Sequence, residues 1–591
     1  MMHTISPDEM SKKLKPILGD KIDKIYLNYL FTDDLDKKKQ IAQFIQALYA
    51  KFVNHDMLKS QIFLEPPKKE QVAGDYPVGT VCYANTDLHT FNLREHDLQR
   101  HICITGMSGS GKTTLAYQLL KNLVDKNKPF LVMDWKKSFR PLMLIADDVL
   151  LFTIGNSTIS NGFRININRP PKGVPPKEWI SILTDVIVES FSASHGTATI
   201  LSDTLDRAYH DFKVYEGSEN YPTWYQIMDR LSDMEGDRTR SKRETEWISS
   251  AIRIAHSLTF GDYGKCVNTK GVNETNVEEL LNQKVVFELY SLNTFQKKFF
   301  CEFILTYIYK LKKNNNKISA GFEHAILVDE AHNIFLKDKA TFMKETVTDM
   351  IYREMREYGI GLICLDQHIS KLSETVVGNS ACTIAFQQML PQDVEIVTRL
   401  MQLTDPEQKN YFPMLTVGQA IVRLAERYNS PFMVKIPFIQ LKKEFVNDEF
   451  VMSRMNEYSK MRAILAALEA SKDPTFREEM EGLRKKVYQS GWIATTDELV
   501  EIHSKDPEPL REHVEDTLGE EEKKFLALVK RERLSVSEAY RLLGLSGRKG
   551  SAIKEFLEKK QLIVVVEEKN DRGWKKIIMP LEGEISVKAM A

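Results

Sequence analysis

A glycine-rich segment at residues 106–113, GMSGSGKT, has residue types and spacing that suggest phosphate chemistry. It fits the pattern G-x-x-x-x-G-K-[ST], in which glycines let several backbone N–H groups point at a phosphate. Lys112 would place a positive charge on the phosphate oxygens, and the Thr113 hydroxyl would bind Mg²⁺. The pattern therefore predicts a site for ATP and Mg²⁺, whose binding residues are Gly106, Ser108, Gly109, Ser110, Gly111, Lys112, Thr113 and Thr114.

The surroundings of this loop and a second, acidic motif strengthen the prediction. The apolar run HICIT precedes the loop and the helical run TTLAYQLLKNLV follows it, as a loop between a strand and a helix requires. Further along, the apolar run AILV ends in Asp329 and Glu330. Asp329 would hold the magnesium ion, and Glu330 would orient and deprotonate the attacking water. The alternative is a strand that ends in two acids by chance.

Three more polar residues are candidates for the same reaction. Gln367 ends the apolar run GLICLDQ and could sense the γ-phosphate, although it could equally be an ordinary strand-end residue. Arg353 and Arg356 lie in IYREMREYGIG, at the end of a helical pattern. An arginine that reaches the γ-phosphate of a neighbouring subunit can raise the rate by about 10³–10⁵. Taken alone, however, these two arginines fit a solvated helix face.

The elements that must position these residues follow an α/β pattern. Between residues 73 and 445, apolar strand-like runs alternate with helical segments, which predicts a mainly parallel sheet covered on both faces. A helical insertion is expected at about 156–265. Residues 1–72 show helical periodicity, for example in KKQIAQFIQALYAKFV, and 446–517 have the charged, helical character of a connector.

The C-terminal residues 518–584 predict a winged-helix domain. Three helical segments are followed by two strand-like runs around the turn KNDRG. Residues 521–580 contain fifteen Lys and Arg against nine Asp and Glu, whereas the whole chain has a net charge of -1. We expect DNA contacts in the third helix and the wing; alternatively, the domain binds protein and its charges are solvated. The candidate contact residues are Arg548, Lys549, Lys554, Arg572 and Lys575.

Composition limits the remaining possibilities. With 591 residues the chain is expected to form two to four domains. No apolar run is long enough to span a bilayer, and the N-terminus lacks the pattern of a signal peptide. The six cysteines have no close pairs, which predicts reduced core thiols, with metal ligation as the alternative. A cytoplasmic location is expected.

Together these motifs resemble the HerA/FtsK superfamily. The series GMSGSGKT, FLVMDWKK, FRININRPPKGVPPKEW, VVFELYSL, HAILVDEAHNIF and REMREYGIGLICLDQHIS follows that family's order over about 77–440, closest to the HerA-like branch that includes type IV secretion ATPases. The resemblance implies a RecA-like P-loop NTPase core, assembled as a ring that is usually a hexamer, with ATP at subunit interfaces and DNA in the pore. By position, Arg356 corresponds to the family's arginine, with Arg353 as substitute.

Two features depart from the family pattern. HerA proteins usually begin with a small β-barrel, whereas residues 1–72 here have a helical pattern, so hexamer docking and partner choice do not transfer directly. Membrane-bound coupling proteins of the superfamily carry N-terminal spans, and this sequence has none.

These observations lead to one main hypothesis and two alternatives. We expect an ATPase that translocates DNA, with double-stranded DNA as substrate, as a homo-oligomer and with a nuclease or other accessory protein as a candidate partner. The first alternative is an ATPase that powers protein or DNA export in a secretion or conjugation system. The second is a nucleotide-gated regulator that binds DNA through the winged helix.

Overall fold

The computed structural model describes residues 5–53, 62–84, 86–160, 162–235, 241–270, 274–315, 321–337, 346–440, 443–456, 458, 520–531, 534–559, 563–570 and 573–580. The chain divides into two compact units, Met1–Trp492 and Ile493–Ala591. Each unit has its own apolar core. The predicted connector 446–517 lies mostly outside the described residues, and of its beginning the structure describes a helical stretch at 448–456.

A mixed sheet of 11 strands forms the centre of the first unit, in the order β2-β1-β11-β10-β9-β3-β8-β7-β4-β6-β5. The strands are β1 (Tyr76–Tyr83), β2 (Thr86–Leu93), β3 (Ile102–Thr105), β4 (Phe130–Asp134), β5 (Val149–Thr153), β6 (Lys284–Glu288), β7 (His324–Val328), β8 (Ile360–Asp366), β9 (Cys382–Ala385), β10 (Gln419–Leu424) and β11 (Tyr428–Lys435).

The sheet has a parallel part and an antiparallel part. The strands from β9 to β5 in the sheet order are parallel, and β10, β11, β1 and β2 extend the sheet in antiparallel fashion. Every residue of β3 to β9 is buried. Continuous apolar strands of this kind are covered on both faces, as the sequence pattern predicts. Because parallel strands all end at the same edge, the loops that follow them meet there.

Helices surround this sheet. They are α1 (Pro7–Leu18), α2 (Asp20–Phe31), α3 (Leu35–Phe52), α4 (Glu95–Gln99), α5 (Lys112–Asp125), α6 (Pro176–Phe191), α7 (His195–Asp211), α8 (Trp224–Glu235), α9 (Lys242–Thr259), α10 (Gly261–Val267), α11 (Val277–Leu280), α12 (Thr294–Asn314), α13 (Val347–Glu354), α14 (Glu374–Asn379), α15 (Pro391–Leu400) and α16 (Tyr411–Met414).

Two groups of helices lie outside the alternating α/β pattern. Helices α6 to α11 all fall between β5 and β6, where the sequence predicts a helical insertion. Helices α1 to α3 form the N-terminal region, and their apolar side chains share a separate cluster with Tyr83 and Ala84 at the end of β1. The boundaries of the predicted domains stay predictions.

The second unit consists of three helices and a small sheet. Its elements are α17 (Glu520–Arg531), β12 (Leu534–Ser535), α18 (Val536–Leu542), α19 (Gly547–Lys559), β13 (Ile563–Asn570) and β14 (Gly573–Pro580). Strands β13 and β14 form an antiparallel hairpin, and β12 pairs with β14. Ser535 caps α18, because its side chain accepts a hydrogen bond from the Glu538 N–H at 3.3 Å.

The structure also describes the cysteines and the apolar character of the helices. All six cysteines are free and buried. Among the described residues, no helix combines the length and the apolar character that crossing a membrane requires.

Candidate nucleotide site

The glycine-rich loop joins β3 to α5 at the carboxyl edge of the sheet. Gly106 N–H donates to the Asp366 carbonyl at 3.2 Å, and Met107 N–H donates to the Gln387 carbonyl at 2.8 Å, so the flanking strands hold the loop from both sides. A Cβ on Gly106 would lie 2.6 Å from the Phe386 Cβ, and Gly111 has a φ of 120°. Glycine is therefore required at both positions by sterics and by backbone conformation.

Lys112 is the first residue of α5, and its side chain folds back over the loop. Its Nζ donates to the carbonyls of Gly106 at 2.5 Å and Met107 at 2.9 Å. Burial lowers the pKa of this amine, although the charges of Glu330, Asp329 and Asp366 act in the opposite direction. The ammonium thus lies between the loop and these acids, where it can bind phosphate oxygens.

Ser108, Gly109, Ser110, Thr113 and Thr114 surround this lysine. Ser108 and Gly109 are exposed at the tip of the loop, whereas Ser110 is buried and donates to the Met107 carbonyl at 2.8 Å. Thr113 and Thr114 belong to the first turn of α5 and are half-buried. The backbone N–H groups of that first turn carry the positive end of the helix dipole, which favours an anion.

Asp329 and Glu330 directly follow β7 at the same edge. Glu330 has a left-handed backbone conformation with φ 51° and ψ 50°, which is uncommon outside glycine and costs free energy. Its Oε1 accepts a hydrogen bond from Gln367 Nε2 at 2.5 Å and forms an ion pair with Lys136 Nζ. The structure therefore brings Gln367 to Glu330, two residues that the sequence predicts for one site.

The environment of Glu330 keeps it ionised. Burial by itself would raise the pKa of this carboxyl, but the hydrogen bond and the charge of Lys136, together with Gln367, outweigh that effect and lower it. An ionised carboxylate can accept a proton from water, as a general base must. Lys136 and Gln367 both donate to Oε1 of Glu330. A water beside Glu330 would therefore be oriented by all three side chains and not by Glu330 alone.

The pKa of Asp329 is shifted in the opposite direction from that of Glu330. Burial, followed by the negative charges of Asp134 and Glu330, raises the pKa of Asp329 to about 7. A nearby divalent cation would favour its ionised form. Oxygen ligands suit Mg²⁺, so the Asp329 carboxylate and the Thr113 hydroxyl are chemically fit to hold it.

A second group of possible metal ligands lies next to this pair. Among the described residues, ligand atoms of Glu330, His332 and Asp366 lie within 4.8 Å of one another. His332 Nδ1 and its backbone N–H both contact the Asp366 carboxylate, at 2.8 Å and 2.6 Å. These hydrogen bonds already satisfy the group, and imidazole is a poor ligand for Mg²⁺. Thr113 and Asp329 therefore stay the predicted magnesium ligands.

Lys136, His332 and Asp366 were not predicted as site residues. Lys136 lies two residues beyond β4, Asp366 is the last residue of β8, and His332 follows Glu330 by two positions. Each therefore lies at the carboxyl end of a strand, and that location is the sequence signal that could have identified them. Their pairing depends on strand order, which no local pattern contains.

The chain is similar to known proteins over a part that includes the glycine-rich loop. Residues 76–320 match the family described as "Helicase HerA, central domain". Over this central part, the chain is similar to the HerA-like P-loop ATPases. The DNA double-strand break repair helicase HerA of Sulfolobus acidocaldarius is 20% identical over 372 residues, which is 62% of this chain and 69% of that protein. The protein of the same name from Sulfurisphaera tokodaii is 23% identical over 365 residues, or 58% and 66%.

Two solved structures are also similar to this HerA-like chain. VirB4 of Thermoanaerobacter pseudethanolicus is 14% identical, with a TM-score of 0.46 and coverage of 64% of this chain and 99% of that chain. The plasmid coupling protein TrwB, in complex with ADP and Mg²⁺, is 10% identical with a TM-score of 0.45 and coverage of 60% and 88%.

The predicted arginines of the HerA-like core do not lie beside its own nucleotide loop. Arg353 is in α13 and Arg356 lies in the turn before β8, where its carbonyl accepts a hydrogen bond from Gln99 Nε2 at 2.8 Å. Strand β8 then runs seven residues to Asp366 at the nucleotide edge, a length of about 20 Å at roughly 3.3 Å per residue. Both arginines are therefore near the amino-terminal ends of the parallel strands, at the edge of the sheet opposite the nucleotide loop.

The predicted DNA-binding residues belong to the second unit. Arg548, Lys549 and Lys554 are in α19, and the Lys549 N–H donates to the Ser546 hydroxyl at 3.4 Å. Lys549 is exposed and Lys554 is half-buried. Lys575 is in β14, paired in register with Glu568 of β13. Arg572 lies outside the described residues.

The raised pKa of Asp329 predicts a pH-dependent effect of Asp329→Asn on stability. In the unfolded chain this carboxyl titrates near 3.8, and in the folded protein near 7. Between these two pKa values the native state therefore binds one more proton than the unfolded chain. The free energy of unfolding consequently falls as pH rises through this range, by at most about 1.4 kcal/mol per pH unit. Asp329→Asn should consequently stabilise the protein against urea more at pH 8 than at pH 5.

Tryptophan fluorescence during urea denaturation measures this difference in the free energy of unfolding. The exposed Asp125→Asn on α5 serves as control and should have the same small effect at both pH values. An Asp329→Asn gain that is equal at pH 5 and pH 8 would contradict the assignment.

Proposed function

We propose that the protein is an ATP-driven DNA translocase of the HerA type that works as a ring. The observation that carries this proposal is the distribution of hydrolytic residues over two opposite edges of one sheet. The nucleotide loop, Asp329, Glu330 and Gln367 lie at the carboxyl edge, whereas Arg353 and Arg356 lie at the other. A single chain cannot bring these arginines to its own nucleotide, but a neighbouring copy can.

The residues at the carboxyl edge have separate tasks in hydrolysis. Backbone N–H groups of the loop and the Lys112 ammonium bind the β- and γ-phosphates. Thr113 and Asp329 would hold Mg²⁺, which neutralises charge that develops on the phosphate oxygens. Glu330 accepts the proton of the attacking water, and Gln367, which is hydrogen-bonded to Glu330 at 2.5 Å, links the γ-phosphate position to β8.

An arginine from the adjacent copy completes the site. Arg356 is the preferred residue because it lies at the family's arginine position, and Arg353 is the substitute. The guanidinium stabilises the charge of the transition state and makes hydrolysis depend on assembly. We propose a closed ring, with a hexamer as the expected number of copies, and with ATP at each interface. Closed assemblies of this kind use one repeated interface.

DNA is the proposed substrate for movement. The relatives of Sulfolobus acidocaldarius and Sulfurisphaera tokodaii are named DNA double-strand break repair helicases. The three helices and hairpin of the second unit suit a winged-helix domain, in which α19 would lie against DNA. Arg548, Lys549, Lys554, Arg572 and Lys575 are the proposed contacts, and double-stranded DNA is the proposed form.

The first test is whether DNA stimulates ATP hydrolysis. Lys112→Ala removes the phosphate-binding charge, and Glu330→Gln removes the base, which should lower the rate by about 10²–10⁴. Phosphate release is measured with and without a DNA duplex. Lys121→Ala, at a half-exposed position on α5, is the control and should retain the wild-type rate. If no form of DNA changes the rate of the wild type, the translocase proposal fails and the export alternative gains support.

Mixing two inactive variants tests the shared site. Arg356→Ala should lower the rate by about 10³–10⁵ if the arginine acts at the interface. In a mixed ring, an Arg356→Ala subunit supplies an intact nucleotide loop and a Lys112→Ala subunit supplies an intact arginine. The mixture should therefore hydrolyse ATP well above the sum of the separate variants.

The same mixture with Arg353→Ala in place of Arg356→Ala identifies which arginine acts. Recovery in neither mixture, or full activity of a strictly monomeric wild type, would exclude a site shared between copies.

Salt dependence tests the DNA contacts of the second unit. Contacts between cations and phosphates release counterions, so the logarithm of DNA affinity falls linearly with the logarithm of salt concentration. In the full chain, the double variant Arg548→Ala/Lys549→Ala should reduce this slope by about one for each lost phosphate contact. The exposed Lys523→Ala on α17 is the matched control. An unchanged slope in the double variant would remove α19 from the DNA interface.

A further inference from the structure

The turn that follows β4, residues 135–139, connects the proposed base to the helix of the nucleotide loop. This turn, called here the Lys136 turn, presents the Lys136 ammonium to the Glu330 carboxylate. Tyr117 of α5 holds it from the other side: its hydroxyl donates to a backbone carbonyl of the turn at 3.0 Å, and its ring stacks on Phe139 with centroids 5.4 Å apart. A displacement of the Lys136 turn would therefore be felt at Glu330.

Two carboxylates and two cations fix the far end of the Lys136 turn. Arg140 donates to both carboxylate oxygens of Glu288, at 2.6 and 2.9 Å, and both side chains are buried. The same guanidinium donates to Asp448 Oδ1 at 2.6 Å, and this hydrogen bond lowers the pKa of Asp448. Lys137 Nζ lies 3.8 Å from the Asp448 carboxylate and 3.9 Å from that of Glu288. The fork of donors on an arginine suits such a shared arrangement.

Asp448 comes from a distant part of the chain, the start of the predicted connector. It opens the helical stretch at 448–456, where a negative charge is favoured by the helix dipole. Val451 and Met455 of this stretch are buried, and the Leu151 N–H of the edge strand β5 donates to the Met455 sulfur at 3.3 Å. Along the chain, the stretch leads to the second unit.

The position of Asp448 suits a role in activity more than a role in folding. Its side chain is 54% exposed, and Arg140 keeps its buried partner Glu288 when Asp448 is removed. Lys137, however, has a φ of 61°, a conformation that the surrounding structure must impose on a residue other than glycine. Without Asp448, Lys137 and Arg140 would share a single carboxylate, and the restraint on the residue next to Lys136 would weaken.

We propose that Asp448 is a positioning residue for ATP hydrolysis, which acts through Arg140 and Lys137 to keep Lys136 on Glu330. The inference rests on the proposed function, because it assumes that Glu330 is the general base. Since Asp448 belongs to the stretch that leads to the second unit, the rate of hydrolysis depends on the docking of this stretch on β5. The start of the connector is thus part of the hydrolytic machinery and not only a link between two units.

Steady-state ATP hydrolysis by the full chain tests this assignment. Asp448→Ala should lower kcat by about 10- to 100-fold, the loss that a small displacement of a catalytic group can cause. KM for ATP should stay within about two-fold, because the nucleotide loop itself is untouched. Asp448→Glu retains the charge and should recover most of the rate.

A double variant shows whether Asp448 acts through Lys136. Lys136→Ala alone should also lower kcat, because Glu330 loses its ion pair. If both substitutions disturb one arrangement, adding Asp448→Ala to Lys136→Ala should change kcat by less than about two-fold. Equal losses from Asp448→Ala in the wild-type and the Lys136→Ala backgrounds would overturn the assignment.

Arg454→Ala is the matched control on the same helical stretch. Arg454 Nη2 donates to Asp147 Oδ1 at 2.5 Å, a contact outside the Lys136 turn, so its loss should leave kcat unchanged. An unchanged kcat in Asp448→Ala, or an equal loss in Arg454→Ala, would show that Asp448 does not position Lys136, even though the nucleotide site stands. If the wild-type chain does not hydrolyse ATP, the proposed function itself fails.

Discussion

The concentration of acidic side chains at one edge of the sheet is the constraint that organises this protein. Parallel strands all end at that edge, and β4, β6, β7 and β8 place five carboxyl groups there: Asp134, Glu288, Asp329, Glu330 and Asp366. Buried charges require partners. Arg140 contacts Glu288 at 2.6 and 2.9 Å, Lys136 contacts Glu330, and His332 contacts Asp366 at 2.8 Å. Asp329 keeps a raised pKa despite these cations, so an added divalent cation would be stabilised beside it.

The ion pair between Lys136 and Glu330 is held by backbone on both sides. Asp134 accepts hydrogen bonds from the N–H groups of Lys136 at 2.9 Å and Phe139 at 2.8 Å, which shapes the turn that presents the lysine. Lys137 and Glu330 both have positive φ angles, 61° and 51°. Non-glycine residues in this conformation are strained and are found where the surrounding structure imposes them. The position of the proposed base is therefore set by the fold.

The separation of the two sheet edges is the observation behind the proposed assembly. The length of β8 keeps Arg356 about 20 Å from the nucleotide edge of its own chain. In a ring, each nucleotide would contact two copies of the chain. Each hydrolysis step would therefore depend on the relative position of those two copies.

The sequence by itself determined the elements whose signals are local. The glycine loop between a strand and a helix, the acids that end β7, the parallel α/β pattern and the order of elements in the second unit all follow from neighbouring residues, because backbone conformation and side-chain periodicity act over a few positions. Only the tertiary structure decided which of these residues meet. Lys136 and Glu330 are 194 positions apart, and their contact depends on β4 and β7 being neighbours in the sheet. Strand order likewise placed His332 on Asp366 and the arginines at the far edge.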